Sequence, residues 1–141
     1  MFKSDFLKIF NIYCVITFTL LSLSTLSHAE NIPTYDRGQF GSWKDFDNDC
    51  QNTRHELLQT LSLDEFTLTD NTCRVLTGLW LDPYTNMYFS ASSELDIDHL
   101  VPLKYAWTRG AYNWPKSKRV KFSNDESNLF AVKKSVNRQK S

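Results

Sequence analysis

The chain has no net charge: 16 lysines and arginines balance 16 aspartates and glutamates over 141 residues. Attraction to a polyanion or to a charged surface must therefore be local, built from an uneven distribution of charge. No internal repeat or low-complexity linker is visible, which excludes a solenoid and a string of tethered modules. Only 3 cysteines are present. Their spacing argues against a structural zinc site, which needs further ligands at closer separation. No segment has the pattern of a helix that reads base edges, so sequence-specific recognition in a DNA groove is not expected.

The amino end sets the compartment. Lys3 and Lys8 precede or flank a run from Ile9 to Leu26 that is almost wholly apolar or hydroxylic, and Ser27-His28-Ala29 offers small residues where a signal peptidase reads. Residues 1–29 are expected to be a secretory signal and residues 30–141 the working domain, secreted or periplasmic, with no stable membrane association after cleavage. An uncleaved anchor is the lesser alternative, because the run only approaches the length of a bilayer span. Cys14 would leave with the signal, so Cys50 and Cys73 remain as an even pair in an exported chain. A disulfide between them is expected over two free thiols or two metal thiolates. Closing a loop of roughly 20 residues, it would contribute on the order of 3 kcal/mol.

Charge is unevenly placed in this domain. Up to His99 the acids far outnumber Arg37, Lys44, Arg54 and Arg74; beyond it Lys104, Arg109, Lys116, Lys118, Arg119, Lys121, Lys133, Lys134, Arg138 and Lys140 face only Asp125 and Glu126. Such a basic half can neutralise phosphates regardless of sequence. The interleaved Tyr105, Trp107, Tyr112, Trp114 and Phe122 are expected to be framework, since a domain this small needs its aromatics for a core.

Periodicity predicts a helix over Thr53 to Leu61, with Leu57, Leu58 and Leu61 on one face. Strands are expected at Arg74 to Trp80 and Glu94 to Val101, separated by the turn Asp82-Pro83-Tyr84-Thr85-Asn86. Leu103 to Tyr112 reads as helical until Gly110, and Pro115 closes that region. A short strand over Asn128 to Val132 and a helix from Lys133 complete the chain. The fold class is α+β.

The chemistry concentrates in Asp96-Ile97-Asp98-His99-Leu100-Val101-Pro102-Leu103, with Asn128-Leu129-Phe130-Ala131-Val132 and Asn137-Arg138-Gln139-Lys140 downstream. Hydrolysing a phosphodiester needs a base active near neutral pH and a cation that relieves charge on the departing oxygen. Histidine suits the first task, and carboxylate and amide oxygens suit Mg2+ for the second. The arrangement resembles the HNH (His-Me finger, ββα-metal) endonucleases, and among them the secreted proteins related to the C-terminal domain of GmrSD-type restriction enzymes. Residues that carry the resemblance run from about Arg37 onward. They include Phe40-Gly41-x-Trp43, Asp49-Cys50-Gln51-x-Thr53-Arg54-x-Glu56, Cys73, Gly78-x-Trp80-x-Asp82-Pro83-Tyr84, Asp96-Ile97-Asp98-His99, Pro102-Leu103, Asn128-Leu129 and Asn137-Arg138-x-Lys140.

The resemblance implies a small ββα-metal nuclease domain in which His99 is the general base and Asn128 pins the loop that orients it. Asp98 and Asn137 would ligate Mg2+ or Mn2+, with Asp96 as an outer ligand or supporting group. Arg138, Lys140 and Arg119 would meet the substrate, DNA in the first place and RNA in the second. Relatives continue beyond the Asn-Arg-x-Lys segment, so the final helix is expected to be short or truncated, which keeps a noncatalytic DNA-binding relative open as an alternative. A weak Ca2+ site at Asp45, Asp47, Asp49 and Glu56 is the other, at positions one, three, five and twelve of an EF-hand loop. Cys50 stands there where the sharp turn calls for glycine, which favours a polar loop and helix cap instead.

Overall fold

The computed structural model describes residues 31–139, so the expected signal segment and Lys140 lie outside the described residues. No described helix is long and apolar enough to cross a membrane. In chain order the elements are α1 (Thr53–Thr60), β1 (Thr67–Leu68), β2 (Val75–Asp82), β3 (Met87–Ala91), β4 (Leu95–His99), α2 (Leu103–Thr108), α3 (Lys116–Ser123), β5 (Leu129–Lys133) and α4 (Lys134–Gln139). Strands β1, β2 and β3 form one antiparallel sheet and β4 with β5 another. The fold is α+β, with the expected bond between Cys50 and Cys73 closing a separation of 23 residues.

Two elements differ from the sequence expectation. The turn after Asp82 joins β2 to β3 and not to the Asp-His strand; Asn86 takes the left-handed conformation at φ 55° and donates its N–H to the Asp82 carbonyl. Pro115 does close α2's region but also opens α3, where it stands at the N-cap and the helix begins at Lys116. A proline is tolerated there because the N–H it lacks would have had no partner inside the helix.

One core joins the two sheets. Leu57 and Leu58 of α1, Val75 and Trp80 of β2, Phe89 of β3, Leu95 and Ile97 of β4, and Leu129 and Ala131 of β5 are buried together. The Trp80 indole N–H finds the Leu58 carbonyl at 2.7 Å, which removes the cost of burying it. Phe40, Leu103, Ala106, Trp107 and Ala111 make a second cluster, with Tyr112, Trp114 and Phe122 packed against it. These aromatics are framework, as expected, whereas Tyr105 is exposed beneath Arg109.

Arg119 is a correction. It was expected to meet substrate, yet it is buried and its guanidinium donates to the carbonyls of Gln39, Ala111, Tyr112 and Trp114. It ties the segment at Gln39 to the stretch between α2 and α3.

The tightest sequence requirement in β2 is Gly78. A Cβ there would lie 2.6 Å from the Trp80 ring and 2.7 Å from the Ser62 hydroxyl. Both neighbours are engaged, since the Ser62 hydroxyl also accepts the Leu79 N–H at 3.0 Å. Gly78→Ala is expected to destabilise the protein by about 1–3 kcal/mol through overpacking. Denaturant unfolding measures this, and an unchanged midpoint would contradict the packing described.

Candidate active site

The ends of β4 and β5 and the start of α4 carry the site. The two strands pair antiparallel with Asp96 opposite Val132, Asp98 opposite Phe130 and His99 opposite Leu129, and the chain then turns directly into α4, which packs on them. This is a strand, strand, helix unit, with α2 and α3 inserted between its strands. Along β4 the side chains alternate, so Leu95, Ile97 and His99 are buried while Asp96 and Asp98 lie half-exposed on the other face.

His99 is held from three sides. Its Nε2 lies 3.0 Å from the Ser123 carbonyl. A carbonyl oxygen only accepts, so Nε2 carries the proton in the neutral ring and Nδ1 is left as the proton acceptor. Trp43 stacks on the imidazole, with centroids 5.7 Å apart and planes 11° from parallel. Burial lowers the pKa of His99 below its ordinary 6.5 and outweighs the Ser123 carbonyl, which raises it; Arg37 acts with burial and Asp98 against it. The ring is thus kept neutral near pH 7, the form that can take a proton.

Asn128 clamps the loop that follows. Its side-chain oxygen accepts the Val101 N–H at 2.7 Å, its amide donates to the Val101 carbonyl at 3.4 Å, and its own carbonyl accepts the Leu100 N–H at 2.8 Å. Position 128 thereby fixes how the chain leaves His99.

The oxygen-rich face is organised separately. Asp98 accepts the Tyr84 hydroxyl at 2.7 Å and the His99 backbone N–H at 2.8 Å. Asn137 directs its amide nitrogen at Asp96, 3.4 Å away, which turns its oxygen elsewhere. Arg138 forms a 3.2 Å ion pair with the same Asp96 oxygen. The structure therefore joins Asp96 with Asn137 and Arg138, while Asp98 lies about 7 Å further along the strand. Carboxylates and an amide oxygen are the hard donors that suit Mg2+, and Asp96, its charge offset by Arg138, is placed to support Asn137.

Three residues that the sequence offered only as carriers of the resemblance, with no role, contribute here: Trp43 on the histidine, Tyr84 on Asp98, and Asp82 bonded to the Tyr84 backbone. Asp82 is fully buried. It accepts the backbone N–H groups of Tyr84, at 3.2 Å, and Thr85, at 3.1 Å, together with the Thr85 hydroxyl at 2.5 Å. Burial alone would raise its pKa, but these bonds and another from the Lys133 backbone lower it. The carboxylate thus holds the β2–β3 turn together.

Away from this region, Asp45, Asp47 and Asp49 bring carboxylate oxygens within 4.8 Å of one another, an arrangement that could hold an ion. Cys50 is not the obstacle the sequence suggested. It takes the left-handed conformation at φ 77° that glycine would supply, with its N–H bound to Asp45 at 3.0 Å. Burial, and the charges of Asp47, Asp49, Glu126 and Asp45, raise the pKa of Glu56.

Residues 51–141 match the family described as GmrSD restriction endonucleases, C-terminal domain, and the chain belongs to it. It is also 39% identical over 108 residues to an uncharacterized secreted protein of Arthroderma benhamiae, a match covering 75% of this chain and 52% of that protein. The chain thus spans about half the length of that relative. No solved structure matches. The family makes this a nuclease-related domain, and the secreted relative and the disulfide agree with an extracellular location.

Asp82 makes acid stability testable. Its folded pKa lies below the ordinary 3.8, so its contribution is complete above that value and is lost as pH falls through the folded pKa. Asp82→Asn should cost about 1–3 kcal/mol at neutral pH, where a charged acceptor is lost. It should also flatten the stability decline below pH 3.8. Thermal melts from neutral to strongly acidic pH measure both, and parallel pH profiles would contradict the assignment.

Proposed function

We propose that the protein is an exported endonuclease that hydrolyses phosphodiester bonds in DNA without sequence specificity, with His99 as general base. The observation that carries this is the histidine itself: buried, stacked on Trp43, and bonded through Nε2 to a carbonyl so that Nδ1 is the basic atom. Membership of a restriction endonuclease family supports a nucleic acid as the substrate class. RNA has the same phosphodiester link and is the second candidate substrate.

In the reaction, His99 Nδ1 takes a proton from a water whose oxygen bonds to phosphorus, while the opposite ester oxygen leaves with its electron pair. The Ser123 carbonyl and the Trp43 face stabilise the imidazolium that results. Asp98 and the Asn137 oxygen would hold Mg2+, or Mn2+ in its place, whose chemistry is to offset negative charge on the phosphate and leaving oxygen. Asp96 orients Asn137, and Asn128 keeps the loop after His99 in register. A weak Ca2+ at Asp45, Asp47, Asp49 and Glu56 would stand apart from these steps, as a structural ion.

His99→Ala should lower nicking of supercoiled plasmid by about 10²–10⁴-fold while DNA binding is retained, because it removes the base and no phosphate-binding cation. A chelator should abolish nicking by the unaltered protein, and Asn137→Ala should raise the magnesium concentration required. Equal nicking by His99→Ala and the unaltered protein would overturn the proposal.

A further inference from the structure

We infer that Arg37 holds a nonbridging phosphate oxygen of the substrate beside His99, so that the small cavity over the imidazole is where the phosphodiester docks. This rests on the phosphodiester chemistry proposed for His99. The cavity has a volume of about 180 Å³, and its lining includes Arg37, Gly41, Trp43, His99, Leu103 and Ser123. Arg37 is the cationic side chain in that lining, and its charge reaches the His99 ring.

Two of the three basic residues expected to meet substrate are engaged elsewhere, and the third, Lys140, lies outside the described residues. Arg119 is buried among carbonyls, and Arg138 is paired with Asp96. Among the described residues Arg37 makes no ion pair, and it is exposed. Its backbone, in contrast, is fixed on both sides. Asp36 caps the turn by accepting the Gly38 N–H at 2.8 Å and the Gln39 amide at 3.1 Å. Gln39 is bound in turn by Arg119, and the buried Phe40 gives its carbonyl to the Ser123 hydroxyl at 2.7 Å. Ser123 is the same residue whose carbonyl fixes His99. One short segment therefore ties the cation to the base, and only the guanidinium remains to be ordered. A planar guanidinium with several donors matches phosphate oxygens, and a site whose base is anchored loses little entropy on binding.

The test uses the oxidised, exported protein and a short DNA duplex in chelator, so that no chemistry occurs. Binding is followed by fluorescence anisotropy across a range of salt. Arg37→Gln should bind about tenfold more weakly, with a salt slope smaller by about one, and Arg37→Lys should recover the slope but only part of the affinity. Arg74→Gln, the same change of charge in a different cavity beside the disulfide, should leave both quantities unchanged. Magnetic resonance signals of the His99 ring should shift on adding duplex to the unaltered protein and not to Arg37→Gln. Unchanged affinity and slope in Arg37→Gln, or an equal loss in Arg74→Gln, would overturn the inference. Arg37-dependent binding with no metal-dependent nicking would remove the hydrolase proposal and leave the contact standing. Nicking that is unaffected by Arg37→Gln would remove the contact and leave the hydrolase.

Discussion

The pairing of β4 with β5 is the constraint on which the site depends. It sets Asp96, Asp98 and His99 in fixed register against Val132, Phe130 and Leu129, and because α4 follows β5 directly, the same register brings Asn137 to Asp96. A slip of one residue would exchange the faces of the strand, burying carboxylates and exposing the histidine. The register is guarded by apolar side chains on one face and by Asn128 at the open end, whose bonds to Leu100 and Val101 stop the loop from drifting.

Burial gives the two halves of the site opposite characters. His99 is packed against Trp43 and capped by a carbonyl, so its neutral form is favoured. Asp96 and Asp98, one face away, keep contact with water and with donors from Tyr84, Asn137 and Arg138. A buried histidine and an acidic face thus sit side by side on five residues of one strand. The inserted helices supply the environment of the histidine: Ser123 at the end of α3 fixes the ring, and α2 contributes Leu103 to the cavity wall.

Much of this was legible in the chain. The Asp-x-Asp-His run ends a strand, Asn128 opens the partner strand, and Asn137 falls on the last helix, because apolar alternation and turn residues mark those boundaries locally. Strand β3 was missed because Phe89 is its one buried side chain, and Met87 and Tyr88 are exposed, so no alternation announces it. Helix α3 was missed for a related reason: its buried residues are Arg119 and Ser123, and its exposed face is lysine, so it has no apolar stripe. Trp43 on His99 and Tyr84 on Asp98 are contacts between distant segments, which local pattern does not encode. Arg119 was misassigned because a cation in a basic half looks the same in sequence whether it faces a phosphate or the carbonyls of its own chain.

In the proposed reaction the cation would bind at the β4–α4 face, apart from the acidic loop at Asp45 to Asp49. Adding Mn2+ at well below equimolar amounts and following signal broadening by magnetic resonance tests it most directly, since a paramagnetic ion broadens the groups nearest to it first. The account predicts that the signals of Asp98 and Asn137 broaden at the lowest additions and that Asn137→Ala abolishes this. Broadening confined to residues 45–49, with β4 and α4 untouched, would contradict it.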